Sequence, residues 1–426
     1  MRSGNKLRIA FFNANEIGSG AEDLIHSTIE NLIGRACEVR LYVRRLKRSR
    51  GQVKKNYVRR IPYFPMELWM ERFTRYLSGR NDCVFPSTAF LSRDPWLGSA
   101  DIWHFHNLHG HFISIPYLAA ESQRRRIVLS PVDQFLSTGY CSYTLTCKRH
   151  LEACGDCPQI NLPYPGISRD ATRTLLAMKK ASVKKSEFNL LVHTDYLAKH
   201  YRSTFVGSLP VERIYYGIDT QVFRPLDRKE CATKMGVTPP PRFVVGLFHS
   251  FLQEKRKGLL PFLKKLSEFA ESRSGRFEAL VVGHGSTSAR KWATPQLNVR
   301  VLPFLQSEHE LAYALNACDV LLYPTVAENL SLTCLKSMAC GTPVISSDVG
   351  GQREAIEDGV NGFLCEPERY DQISERIVQL ADDEDMLRRL SLDARRTVVE
   401  RFDIKMYISN LITYYERLIQ TRSVTG

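Results

Sequence analysis

Short apolar runs of strand length alternate along this chain with stretches whose apolar residues recur at helical spacing. Leu7–Asn13 (LRIAFFN) reads as a buried first strand, followed by Gly18-Ser19-Gly20 and a helix from Ala21 to about Ile33. Further strands are predicted at Cys37–Val43, Asp101–His106, Arg126–Ser130, Asn189–His193 and Arg213–Tyr216, with helical patterns between them. A strand that is apolar throughout is covered on both faces, and its alternation with helices marks a doubly wound parallel sheet. The composition breaks after Phe223, in a stretch ending at Pro239–Pro241, and the pattern then starts afresh. Its second set of strands is Phe243–Phe248, Phe277–Val282, Val299–Val301, Val320–Tyr323, Pro343–Ser346 and Gly362–Leu364. The expected fold is therefore α/β, with two Rossmann-like doubly wound parallel-sheet domains. The divisions expected are 1–222, 223–400 and 401–426, the last being a helix (apolar spacing over Asp403–Leu418) that packs back on the first domain.

Length agrees with two domains, because 426 residues exceed one ordinary hydrophobic core. No run of 18 uncharged apolar residues occurs, so no membrane-spanning helix is expected. The N-terminus, MRSGNKLRIAFFNA, leads directly into a strand without a signal-peptide cleavage pattern, and a cytoplasmic location is the expectation. The eleven cysteines then read as thiols or metal ligands rather than a disulfide framework. Four of them cluster as Cys141-x5-Cys147-x6-Cys154-x2-Cys157, and Cys154-Gly-Asp-Cys157 has the knuckle shape of a zinc-ligand pair. A structural zinc or a disulfide pair is expected there. Cys37, Cys83, Cys231, Cys318, Cys334, Cys340 and Cys365 are scattered and read as packing residues.

The net charge of +14 is unevenly spread: Arg40 to Arg60 holds ten Lys or Arg and no Asp or Glu. Directly after comes Ile61–Leu77 (IPYFPMELWMERFTRYL), rich in aromatics. One reading is a solvated loop and a partly buried helix. The other is a patch resting on an anionic membrane surface, which would place the protein peripherally at the inner face of a membrane. Nucleic acid is not an expected partner, since no recognised nucleic-acid module appears.

The most informative stretch is Tyr323–Ser346, which reads as a strand end, a loop, a helix capped by Ser331 and stopped at Gly341, and another strand. Such a turn aims free N–H groups and the positive end of a helix dipole at the carboxyl edge of the sheet, a seat for phosphate. Glu328 and Asn329 stand on its rim, within reach of a sugar attached to that phosphate. Gly18-Ser19-Gly20-Ala21-Glu22, at the first strand–helix turn, offers small residues for close approach to a pyrophosphate. Lys255-Arg256-Lys257-Gly258 follows the first strand of the second domain, where a cation can stabilise a developing diphosphate charge. His104, His106, His109 and His111 crowd one strand end, with His104 and His106 on the same face. Metal ligation, packing and a single histidine facing a substrate are all open readings of that group.

At these residues the chain resembles the retaining nucleotide-sugar glycosyltransferases of family 4, also called glycosyl transferases group 1. Ala339–Val344 (ACGTPV) and the acidic loop residue Glu328 carry the likeness, which is firmest from about Val244 to Leu364. The resemblance implies a GT-B enzyme whose two domains face each other across a cleft. It implies a UDP- or GDP-linked sugar as donor, a glycan or lipid-linked acceptor and no catalytic metal. It makes His106 and Glu328 catalytic. Ser19, Gly20, Arg256, Lys257, Asn329, Leu330, Ser331 and Lys336 would bind the donor, and Asp133 would lie on the acceptor side.

The chain departs from the family pattern at five points. Lys336 replaces a second glutamate that bonds the nucleotide ribose, and Phe251 replaces an arginine six residues before Lys257. Val132-Asp133 stands for His-Asp, Tyr216-Gly217-Ile218-Asp219 for Asn-Gly-Ile-Asp, and Ser19 for the first glycine of Gly-Gly-Ala-Glu. The expected function is glycosyl transfer in polysaccharide or glycolipid synthesis. The alternatives are a catalytically impaired partner subunit of another glycosyltransferase and a nucleotide-sugar 2-epimerase.

Overall fold

A computed structural model of the chain describes residues 6–422, apart from 17, 19, 36, 47–54, 63, 81–84, 161–168, 238–241 and 272–276. Ser19, Cys83, Pro239–Pro241 and the middle of the basic stretch lie outside the described residues. The chain divides into two compact units, Met1–Ile214 with Ile408–Gly426, and Tyr215–Tyr407.

The first unit contains a seven-stranded parallel sheet in the order β3-β2-β1-β4-β5-β6-β7. Its strands are β1 (Leu7–Asn15), β2 (Cys37–Arg45), β3 (Val58–Arg60), β4 (Ile102–His106), β5 (Ile127–Ser130), β6 (Phe188–Val192) and β7 (Val211–Arg213). All neighbours are parallel, so every crossover must pass over a face of the sheet, and helices such as α1 (Gly20–Ile33) supply the covering. The strand predicted at Arg213–Tyr216 lies earlier, at Val211–Arg213, where it pairs with β6 from Leu190 to Val192. β3 was not expected. It lies inside the basic stretch and pairs with β2 through Val58, while Arg59 and Arg60 face water. Part of that stretch is thus an edge strand rather than a loop, because Val58 buries where the charged residues around it do not.

Alternation sorts the first sheet into two faces. Ala10, Phe12, Trp103, Phe105, Ile127 and Leu129 enter one large apolar cluster. The intervening Phe11, His104 and His106 turn to the opposite face, where both imidazoles are fully buried.

The second unit contains a six-stranded parallel sheet in the order β10-β9-β8-β11-β12-β13. The strands are β8 (Phe243–Phe251), β9 (Phe277–His284), β10 (Leu297–Leu302), β11 (Val320–Tyr323), β12 (Val344–Ser347) and β13 (Gly362–Cys365). Val244, Phe248, Leu280, Leu321 and Tyr323 pack on one face, and Phe243, Val245, Leu247, Val281, Val320 and Leu322 on the other. Both faces are therefore apolar, as the uninterrupted runs in the sequence require. The chain winds from β8 outward to β10, returns to β11 beside β8, and winds outward again to β13. The loops after β8 and β11 consequently meet at the point where the winding reverses, the usual ligand position in an open parallel sheet.

Together these are two Rossmann-like α/β domains, as the pattern of apolar runs predicted. No helix among the described residues is long and apolar enough to cross a membrane.

Candidate active site

The site in the second domain is built by two loops. β8 ends in a single turn, Lys255–Lys257, closed by Gly258 with φ +67°. A Cβ on Gly258 would stand 2.0 Å from the Pro324 carbonyl oxygen, so only glycine allows the two loops to touch there. The contact is tied by the Val326 amide donating to the Arg256 carbonyl at 2.8 Å and by the Thr325 hydroxyl donating to the same oxygen at 3.1 Å.

This junction brings charge together. Lys257 Nζ lies 2.5 Å from Glu328 Oε2 and donates to the Tyr323 hydroxyl at 2.9 Å. The Tyr323 hydroxyl in turn donates to Glu328 at 2.8 Å, and Arg256 Nη1 lies 3.5 Å from the same carboxylate. Arg256 also donates to the Ala327 carbonyl and pairs with Glu254. Lys257 and Glu328 are both buried. Burial pushes the Glu328 carboxyl upward, but the charges of Lys257 and Arg256, with bonds from Lys257 and Tyr323, outweigh it and hold the group well below the usual carboxylate range. For Lys257 burial prevails, and its pKa is lowered despite Glu328. Beside them the buried Nε2 of His249 has no hydrogen-bond partner among the described residues, and its ring lies 5.0 Å from that of Tyr323.

Ser331 caps the helix Leu332–Ala339, its hydroxyl accepting from the Cys334 amide at 3.2 Å, as the sequence predicted. Two of the amides expected to seat a phosphate already have partners within the protein. Asn329 N donates to Glu328 Oε1 at 3.1 Å, and Ser331 N donates to Gln352 Oε1 at 3.0 Å. Leu330 between them is buried. Gln352 is wholly buried and also donates to the Ser346 hydroxyl at 3.0 Å. Gly350 presses against the same loop: at φ +60°, its Cβ position is 1.7 Å from the Glu328 carbonyl oxygen. The Gly350-Gly351 doublet was a readable sign of close backbone approach. Nothing in the sequence singled out Gln352.

Lys336 does not join this cluster. It points from the helix to Glu308, 3.1 Å away, with its ammonium 4.8 Å from the Phe223 ring centroid. Phe251 is exposed at the end of β8 and stacks on His284.

In the first domain, β4 carries the histidines. The rings of His104 and His106 stack at 4.4 Å, with Phe11 beside both, and His104 Nδ1 is bonded to the Tyr415 hydroxyl. His106 Nε2 is buried and finds no hydrogen-bond partner among the described residues. Burial, and secondarily His193, push the His106 pKa down to about 3, so its imidazole is neutral at physiological pH. His193 was not expected in this group. It directly follows β6, bonds the Ser130 hydroxyl through Nε2 and the Ile214 carbonyl through Nδ1, and is itself lowered to about 4 by burial. Asp133 pairs with His109 at 2.9 Å and accepts from the Phe135 amide. Gly20 opens α1, and Glu22 in its first turn accepts from Asn13 Nδ2 at 3.2 Å.

The zinc expectation is not supported. Cys141, Cys147, Cys154 and Cys157 line one small pocket with His150, and all four are free thiols. Among the described residues no group of three or more His, Cys, Asp or Glu side chains is arranged to hold a metal ion. Spacing placed the four in one loop, but a zinc ligand set also needs convergent thiolates. Burial raises the Cys141 thiol to about 12 and raises Cys154 and Cys157 as well. The scattered cysteines that are described, Cys37, Cys231, Cys318, Cys334, Cys340 and Cys365, are buried thiols.

Comparison with known proteins agrees with this geometry. Residues 242–383, which contain the Lys257–Glu328 cluster, match the family described as Glycosyl transferases group 1. That region belongs to the family, and the resemblance read from the sequence is borne out. The chain is 26% identical over 208 residues to the N-acetyl-alpha-D-glucosaminyl L-malate synthase of Bacillus anthracis, covering 48% of this chain and 53% of that protein. It is 30% identical over 190 residues to the D-inositol 3-phosphate glycosyltransferase of Mycobacterium marinum, covering 43% of this chain and 40% of that protein. The chain thus spans about half the length, or less, of these curated relatives.

Solved structures agree on the fold. A sucrose-phosphate synthase from Thermosynechococcus elongatus superposes with a TM-score of 0.71 at 16% identity, over 98% of this chain and 100% of that one. HepE from Anabaena, in complex with UDP and glucose, superposes with a TM-score of 0.67 at 16% identity, over 96% and 100%.

Proposed function

We propose that the protein is a retaining glycosyltransferase that moves a sugar from a nucleoside-diphosphate donor to a glycan or lipid-linked acceptor, without a catalytic metal, in polysaccharide or glycolipid synthesis. The observation that carries this is the buried Lys257–Tyr323–Glu328 cluster at the reversal point of the second sheet, inside the region matched by the family. Lys257 and Arg256 would neutralise the donor diphosphate, and Glu328, held ionised, would accept hydrogen bonds from sugar hydroxyls. Gly20 and the loop at Asn329–Ser331 would support the donor through backbone contacts, and the neutral His106 would hydrogen-bond the sugar. Asp133 would serve the acceptor.

In the reaction the bond from the anomeric carbon to the leaving phosphate oxygen breaks. A bond to the acceptor oxygen forms on the same face, and the acceptor proton ends on the leaving phosphate. The protein then contributes positioning and electrostatic stabilisation more than proton transfer.

A second reading, a non-catalytic partner of another glycosyltransferase, is favoured by Lys336 and Phe251. The first turns to Glu308 and the second is exposed, so neither supplies the group that the family pattern has there. A nucleotide-sugar 2-epimerase is the third reading, recognisable by release of a modified sugar without acceptor. Thermal shift of the purified protein with UDP, GDP, ADP and their sugar conjugates, without metal, separates the first two. A shift with one nucleotide supports donor binding, and the UDP complex of HepE makes UDP-glucose the first compound to test. No shift with any of them favours the non-catalytic partner.

A further inference from the structure

The helix α2 (Pro65–Ser78) is oriented contrary to an ordinary amphipathic surface helix. Its carboxylates face the protein. Glu67, almost fully buried, accepts from the Ser87 hydroxyl at 2.8 Å and from Arg44 at 3.2 Å, and Glu71 lies 3.1 Å from His111. Six large apolar side chains face outward: Met66, Trp69, Phe73 and Tyr76 are 68%, 73%, 64% and 71% exposed, with Met70 and Leu77 beside them. At 3.6 residues per turn these six fall within an arc of about 120°. Surface helices of globular proteins turn such an arc to the core, and an exposed apolar patch of this extent marks a docking surface.

We propose that α2 is an in-plane membrane anchor and that its partner is the surface of an anionic lipid bilayer. Charge decides between occupants. Arg72 is exposed at the edge of the arc, Arg80 follows the left-handed C-cap Gly79, and the exposed Arg59 and Arg60 end the edge strand five residues before the helix. With both helix carboxylates turned inward, the face carries arginine at its rim and, among the described residues of the helix, no exposed acid, in a chain of net charge +14. A second copy of the same face would set Arg72 against like charge, whereas anionic headgroups complement it. Trp69 and Tyr76 are suited to the headgroup boundary, with apolar rings and a polar tip.

The test is co-sedimentation of the full chain with phosphatidylcholine vesicles, with and without phosphatidylglycerol. Binding is expected only to the anionic vesicles, weakening with salt. Trp69→Glu with Phe73→Glu should lower the partition coefficient at least about tenfold. Arg72→Glu should weaken binding and flatten its salt dependence. Because these side chains are exposed, melting temperature should be unchanged in all variants, so loss of binding is not loss of fold. Equal binding by the wild type and the double variant overturns the proposal. So does a concentration-dependent dimer that the double variant dissolves, which would assign the face to a second copy. The readout does not involve nucleotide, so its failure and the failure of the donor assignment are separate results.

Discussion

Lys257 and Glu328 are 71 residues apart in the sequence and 2.5 Å apart in the second domain, buried together where two loops cross. Neither charge would persist there alone, since the burial that makes the pair sensitive also makes each partner dependent on the other. Lys257→Met should therefore destabilise the second domain by about 3–5 kcal/mol, nearer the lower figure because Arg256 remains beside Glu328. The double variant Lys257→Met with Glu328→Met should recover part of that loss. Urea unfolding of the four proteins of this cycle measures the coupling. Additive effects would show that the pair is not formed in solution.

The same cluster gives the functional prediction. Glu328→Ala and His106→Ala should each cut sugar transfer strongly, with nucleotide-induced thermal shift retained in the second. Near-normal transfer by both variants would remove them from the site.

Gln352→Leu leaves the Ser331 amide without the side-chain acceptor it has now and removes a donor to the Ser346 hydroxyl, which still donates to the Ser347 carbonyl. The expected cost is about 1–3 kcal/mol. Weakened nucleotide binding should accompany it, because the loop that Gln352 holds includes Asn329 and Ser331. A thermal melt with and without nucleotide reads both effects.

Gly350→Ala and Gly359→Ala make a matched comparison. Both glycines have positive φ, +60° and +73°, but a Cβ at Gly350 collides with the Glu328 carbonyl while one at Gly359 meets open space. Gly359→Ala should cost about 1–2 kcal/mol, the left-handed penalty alone. Gly350→Ala should cost more and abolish nucleotide binding. Equal melting temperatures for the two would contradict the contact.

The buried histidines predict a pH dependence. Folded values of about 3 for His106 and about 4 for His193 lie below the unfolded imidazole value of about 6.5. The unfolded chain therefore binds more protons in that interval, so stability rises with pH. Stability should be full above about pH 6.5 and fall below it by about 1.4 kcal/mol per pH unit for each histidine, until the folded values are reached. Urea midpoints on either side of pH 6.5 check the slope, and His193→Gln should reduce it. A flat profile would mean that the imidazoles are open to water.

Local pattern was enough to read the two sheets, because a strand buried on both faces has to be apolar throughout. β11 runs over Val320–Tyr323 as predicted, and Ser331 caps the next helix because its hydroxyl meets an amide only three residues away. Residue type and position also named Lys257, Arg256 and Glu328 before their geometry was known. What the sequence left open depends on contacts between distant segments. The edge strand Val58–Arg60 is a strand through its pairing with β2, and its charged composition hid it. Gln352 and His193 acquire their roles from partners 21 residues away in each case, at Ser331 and Ile214. Four cysteines in one loop suggested a metal, yet although they line one pocket, no group of three or more among the described residues is arranged to hold one. The aromatic run after the basic stretch read as a partly buried helix or as part of a membrane-facing patch. That its acids bury and its aromatics face water follows from the positions of Arg44, Ser87 and His111, which only the folded chain brings to the helix.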